Sequence, residues 1–144
     1  MTADRPWITA DCVVFDMHGR LLLIRRKYEP FQGAFALPGG FMDVGEAIET
    51  TAIRELKEET GIDGEDPQLI GVYSKPGRDP RHHTVTIAYL FFVESAAAAA
   101  GDDAATAEFR DDWANLALAF DHNQIVKDAL ELRARLHATM GKHG

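Results

Sequence analysis

Three glutamates, Glu55, Glu58 and Glu59, stand at i, i+3 and i+4, a spacing that on a helix projects all three carboxylates from one face. Such a group works against its own helix. Like charges at this spacing cost about 0.2–0.5 kcal/mol each, and anions in the last turns oppose the helix dipole by a further ~0.3–1 kcal/mol. Two uses fit the pattern. Either the face is simply solvated, with Arg54 and Lys57 softening the repulsion, or its oxygens gather a hard divalent cation such as Mg²⁺, which takes carboxylate ligands and keeps waters for substrate phosphates. Residues of the opposite sign lie elsewhere. Arg25 and Arg26 end a strand-like run, and Arg78 and Arg81 sit in the polar stretch 74–81 with Pro76; each arginine suits phosphate or ribose oxygens, or else a solvated surface. His82, His83 and His122 are expected on the surface or in loops, and Trp113 and Phe109 in the core rather than stacked on a purine. Cys12, the single cysteine, excludes an internal disulfide and a cysteine-based zinc site, and is expected as a small buried hydrophobe.

Composition limits what these groups can meet. The 15 basic and 23 acidic residues leave a net charge of -8, which repels phosphate backbones, so nucleic acid is not expected as a partner. An anionic small molecule would need a cation between itself and the protein. At 144 residues, with 46% hydrophobic and 26% charged, the chain reads as one globular domain over 1–144. No apolar run reaches the roughly 18 residues of a membrane helix. The stretch 85–93 is strand-sized, and residues 1–10 hold no apolar run of signal-peptide length. The expectation is a cytoplasmic protein with no membrane partner.

The elements that must position the charged groups follow from periodicity. Residues 8–15 and 21–25, separated by Asp16-Met17-His18-Gly19, predict a β-hairpin. Residues 34–37 allow a short strand, and Pro38-Gly39-Gly40 a loop leading into a helix over 46–60, where Ile48, Ala52 and Leu56 recur every fourth position and Gly61 caps the end. Residues 69–73 and 84–93 predict two more strands. Residues 96–103 read as a solvated connection, and 102–112 as an acidic loop. A closing helix over 121–139 carries Ile125, Ala129, Leu132 and Leu136, with Asp121 near its N-cap. Strands and helices in this order imply a mixed sheet covered by helices.

Gly40, five residues, Glu46, seven residues, then Arg54-Glu55-Leu56-Lys57-Glu58-Glu59-Thr60-Gly61-Ile62 match the Nudix box at every defined position. Chance would produce this roughly once in 10⁸ start sites. The chain thus resembles the Nudix hydrolase superfamily, densely over 39–62 and more loosely from 8 to about 130. The resemblance implies an α/β/α sandwich with a mixed central sheet and hydrolysis of a diphosphate linked to another moiety. It places Mg²⁺, for which Mn²⁺ can substitute, on Glu55 and Glu59, with Glu58 as an additional ligand and the carbonyl of Gly39 beside them. Arg54 and Glu46 resemble the pair that orients the cluster, or a simple salt bridge. In many relatives the general base lies on a late loop outside the box, which makes Glu108 the first candidate here, Asp111 and Asp112 behind it, and Glu58 the next choice.

Pro76 stands fifteen residues after Gly61, a spacing similar to the ADP-ribose pyrophosphatase branch, as are the loop Arg78-Asp79-Pro80-Arg81 and the triplet Phe120-Asp121-His122. That likeness implies a small-molecule nucleotide, ADP-ribose, cleaved to AMP and ribose 5-phosphate, and a homodimer as the form common among relatives. Other substrates of the superfamily stay open: a nucleoside triphosphate, a dinucleoside polyphosphate or a nucleotide sugar. So does a non-catalytic sensor of ADP-ribose or related metabolites. The intact box and the short stretch after the last helix are expected to favour the enzyme.

Overall fold

Residues 7–15 are apolar or β-branched at nearly every position, and from Ala10 to Phe15 both faces of the strand they form are covered. In the computed structural model, which describes residues 5–94, 101 and 104–143, with side chains to 139, this strand is β1 (Trp7–Phe15). It lies at the middle of a seven-stranded mixed sheet ordered β3-β2-β1-β6-β5, with β4 also on β1 and β7 also on β2. The remaining strands are β2 (Leu21–Arg26), β3 (Phe35–Ala36), β4 (Gly39–Phe41), β5 (Gln68–Tyr73), β6 (Thr84–Phe92) and β7 (Ala104–Arg110). The helices are α1 (Ile48–Thr60) and α2 (His122–His143), with a 3-10 turn at Trp113–Asn115. β1 and β6 run parallel along their whole length, whereas the other pairs are antiparallel.

Side-chain alternation along the strands builds two cores, one on each face. Val13, Phe15, Leu21 and Leu23 pack with Ile125, Val126 and Ala129 of α2. Ala10, Cys12, Val14 and Leu22 pack with Ala52 and Leu56 of α1. The sheet between two helices is the expected α/β/α sandwich. Burying apolar side chains of this size is worth about 1.5–3 kcal/mol each, which makes the two-sided sheet the rigid base of the fold.

Two strands were not legible. β4, with the sequence Gly-Gly-Phe, lies in the expected loop and pairs with β1 through Thr9↔Phe41 and Asp11↔Gly39. The expected acidic loop contains β7, which lines up on the free edge of β2 from Leu21↔Arg110 to Arg26↔Ala104. Residues 95–100, 102 and 103 lie outside the described residues. α1 ends as expected at Gly61, whose φ of 76° and N–H to the Lys57 carbonyl (2.9 Å) make a left-handed cap. α2 begins one residue later than expected and runs to His143.

Along one edge β1 pairs with β2 only at its end, Phe15↔Leu21, and with β4 over Thr9–Asp11. The sheet therefore splits there. The gap between β2 and β4 opens a cleft over which α1 and the β5–β6 loop close.

Candidate active site

Arg54 is the hub of the glutamate helix. Its guanidinium donates to Glu46 (Nε–Oε2 2.7 Å, Nη2–Oε1 3.0 Å), to Glu55 Oε1 (2.7 Å), to Glu58 Oε2 (3.2 Å) and to the Phe41 carbonyl (3.0 Å). Glu46 also accepts from the Thr51 hydroxyl (2.6 Å) and the Asp43 N–H (3.1 Å). These donors, Arg54 first and then Thr51, hold the Glu46 carboxyl down to about 2, and Glu46 in turn raises the Arg54 guanidinium above its usual range. Glu46 and Arg54 thus form a fixed, charged frame. Glu58 leans on it from outside, its side chain 60% exposed.

Glu55 and Glu59 line a cleft of about 390 Å³ together with Gly39 and Gly40. Glu59 is buried and accepts the Gly39 N–H on Oε1 (2.9 Å). A Cβ on Gly40 would fall on the Glu55 carboxylate, and one on Gly39 on the Ala10 carbonyl and Asp11 Oδ1, so the glycine pair brings the backbone against these carboxylates as no other residue could. As they stand, no three Asp, Glu, His or Cys side chains among the described residues form a metal-holding group. The donors the cradle offers are all oxygen, which suits a hard cation such as Mg²⁺ or Mn²⁺.

Behind the cradle sits Asp11, a buried charge within an apolar strand. Its Oδ2 has no hydrogen-bond partner among the described residues, although His122 Nε2 stands 3.1 Å away. The Leu37 N–H donates to His122 Nδ1 (3.0 Å), which makes that ring nitrogen the acceptor. His122 was expected on the surface or in a loop. It is instead buried, because α2 delivers its first residue to the floor of the cleft.

The arginines divide. Alternation puts Arg25 and Arg26 on opposite faces of β2. Arg25 is turned away from the cleft, its guanidinium 4.0 Å from the Phe35 ring centre and donating to the Gly33 carbonyl (3.0 Å). Arg26 lines the cleft. Arg78 does too, but its side chain is only 6% exposed and is engaged by both Asp121 oxygens (2.8 and 2.6 Å) and by Thr86 Oγ1 (2.8 Å). It ties the β5–β6 loop to α2 rather than facing solvent, and Asp121 binds it instead of capping the helix. Arg81 reaches the cleft with Asp79 bound to it. Pro76 lies in the same loop and is not among the lining residues.

Glu108 is placed on β7, outside the cleft lining, where it pairs with Arg110 (2.9 Å). Arg110 is also held by Asp112 (2.7 Å). Strand pairing sets Glu108 opposite Leu23 of β2. Trp113 and Phe109 are partly buried against the two cores, as expected for packing residues. The contributors that spacing did not reveal are Asp11 and the cleft positions of Phe120 and His122; the available signals were an aspartate interrupting an otherwise apolar strand and the triplet Phe120-Asp121-His122.

A family model for the NUDIX domain matches residues 5–136. An ADP-ribose pyrophosphatase of Methanocaldococcus jannaschii is 46% identical over 123 residues, covering 85% of this chain and 72% of that protein. An ADPR-responsive transcriptional repressor, NtrR, of Acinetobacter baylyi is 31% identical over 135 residues, covering 86% of this chain and 53% of the repressor, so this chain spans about half of that relative. Among solved structures, the NUDIX domain of Shewanella oneidensis NrtR complexed with ADP ribose superposes with a TM-score of 0.83 at 30% identity, covering 93% of this chain and 90% of that one.

Proposed function

The chain belongs to the NUDIX domain family and is a Nudix hydrolase, and from that premise we propose that, working as a single domain, it hydrolyses ADP-ribose to AMP and ribose 5-phosphate with Mg²⁺ as cofactor. The observation that carries this reading is one cleft in which Glu55 and Glu59, cradled by Gly39 and Gly40, share a lining with Arg26 and Arg81. Oxygen donors for a cation and guanidiniums for phosphate oxygens in one cavity suit a diphosphate. The 46% identity to an ADP-ribose pyrophosphatase supports the choice among diphosphates.

In this reading Glu55, Glu59 and the Gly39 carbonyl hold the cation, with Glu58 available from the same helix face. When bound, Mg²⁺ neutralises the diphosphate and stabilises charge developing on the leaving oxygen. The chain's own residues do the rest. Glu46 fixes Arg54, and Arg54 fixes Glu55 at 2.7 Å, so the carboxylate is set before substrate arrives. Arg26 and Arg81 take phosphate oxygens. Water attacks one phosphorus in line, its bond to the bridging oxygen breaks, and each product leaves with one phosphate.

A substrate panel with Mg²⁺ tests the assignment. kcat/KM for ADP-ribose is expected to exceed that for ATP, dGTP derivatives, diadenosine polyphosphates and nucleotide sugars by at least about tenfold, roughly 1.4 kcal/mol of discrimination. A better triphosphate or dinucleotide substrate would move the reaction elsewhere within the family. The likeness to NtrR and to the ADP-ribose-bound NrtR domain favours a second reading, a sensor that binds ADP-ribose without turnover. Tight binding with no AMP released would select it.

A further inference from the structure

Phe120 adopts φ 53°, a left-handed backbone that a bulky side chain rarely holds unless its surroundings over-determine it. They do so on both sides. Ala119 donates its N–H to the Phe35 carbonyl (2.8 Å), Asp121 is gripped twice by Arg78, and His122 takes the Leu37 N–H. With both neighbours locked, the ring is held in the cleft wall, backed by Phe31 at 4.8 Å between ring centres.

Two guanidiniums gather on this ring. Arg26 Cζ lies 5.0 Å and Arg81 Cζ 5.9 Å from its centre, within cation–π range. Burial and then the charge of Arg81 lower the Arg26 pKa, while Glu59, Asp79 and Asp11 act against them. Arg26 donates only from Nε, to the Pro30 carbonyl (2.6 Å), and Arg81 from Nε and Nη2 to Asp79 (3.1 and 2.8 Å). Among the described residues, both terminal nitrogens of Arg26 and Nη1 of Arg81 have no hydrogen-bond acceptor.

Resting on the diphosphate reading above, we propose that Phe120 is a positioning residue: its ring sets Arg26 and Arg81 side by side as a clamp that takes the phosphoryl oxygens of a nucleoside diphosphate directly, without a metal. Cation–π contact fixes each guanidinium through its face and leaves its N–H edge to the anion, the geometry that phosphate prefers. The strained backbone is what keeps the ring at that place.

The experiment measures equilibrium binding of inorganic pyrophosphate, ADP and adenosine in EDTA, together with kcat and KM for ADP-ribose under Mg²⁺ and Tm, in the parent, Phe120→Leu and Phe120→Tyr. Leucine keeps apolar bulk and removes the ring face; tyrosine keeps the face. The parent is expected to bind pyrophosphate and ADP without metal. Phe120→Leu is expected to weaken both, and to raise KM, by about tenfold, with kcat within about twofold and Tm little changed, while Phe120→Tyr restores parent values. Several results would overturn the clamp: no metal-free pyrophosphate binding by the parent, unchanged binding in Phe120→Leu, adenosine weakened as much as pyrophosphate, which marks a base-stacking site, or a Tm loss in both variants that accounts for the binding loss. If ADP-ribose is not hydrolysed but pyrophosphate binding behaves as expected, the clamp stands and the substrate reading alone falls.

Discussion

Two glutamates of the same helix have unequal surroundings. Glu59 is buried on the Gly39 N–H, while Glu55 is held by Arg54 beneath Gly40. Glu55→Gln and Glu59→Gln keep side-chain shape and remove the charge a cation needs. Turnover at saturating Mg²⁺ is expected to fall by orders of magnitude in each, with the circular dichroism spectrum unchanged. Parent-like turnover in both would remove the metal from these residues. Glu108 gives the opposite expectation: with its carboxylate on Arg110 and β7 outside the cleft, Glu108→Gln should show a pH–rate profile that overlays the parent's. A lost limb in that profile would bring β7 into the chemistry.

At the level of elements, the clasp between the β5–β6 loop and α2 is Arg78 on Asp121. Burial alone would raise the Asp121 pKa, but the Arg78 hydrogen bonds outweigh it and hold the carboxyl below its ordinary value. Because the folded pKa is depressed, this contact contributes its full stability above the unfolded value near 4 and loses it as pH falls through the lower folded value. Asp121→Asn leaves Arg78, with its 6% exposed side chain, without its counter-charge. The expected cost is about 2 kcal/mol at pH 7, shrinking toward zero in strong acid. Thermal unfolding of both proteins from pH 7 to pH 2.5 checks it; a Tm gap independent of pH would mean the pair contributes packing rather than charge.

For the molecule as a whole, the proposed reaction would bring an acidic ligand into one cleft of a protein of net charge -8. That cleft draws on β1, β2, β4, α1 and the β5–β6 loop at once, so a ligand there ties together elements distant in sequence. ADP-ribose at a hundred times its Kd should stabilise the fold by about 2.7 kcal/mol, read as a rise in Tm that grows with concentration. A larger rise with a triphosphate at matched concentration would redirect the substrate assignment. No helix among the described residues is long and apolar enough to cross a membrane.

What the chain determines by itself is local. The i, i+3, i+4 glutamates, the Gly61 cap and the four-residue apolar period specify α1 and what it carries, since a helix sets its contacts within one or two turns. The largely apolar run of β1, broken by Thr9 and Asp11, likewise marks a strand. What the tertiary structure decided depends on partners far along the chain. β4 and β7 have weak strand sequences and form because β1 and β2 offer unpaired edges. Arg25 and Arg26, adjacent and chemically identical, part company through sheet alternation. His122 becomes a buried ring against Asp11, 111 residues earlier, and Phe120 a strained platform, because α2 docks where the sheet splits. No spacing in the sequence encodes that docking, since its energy comes from packing two cores onto one sheet rather than from any local run of residues.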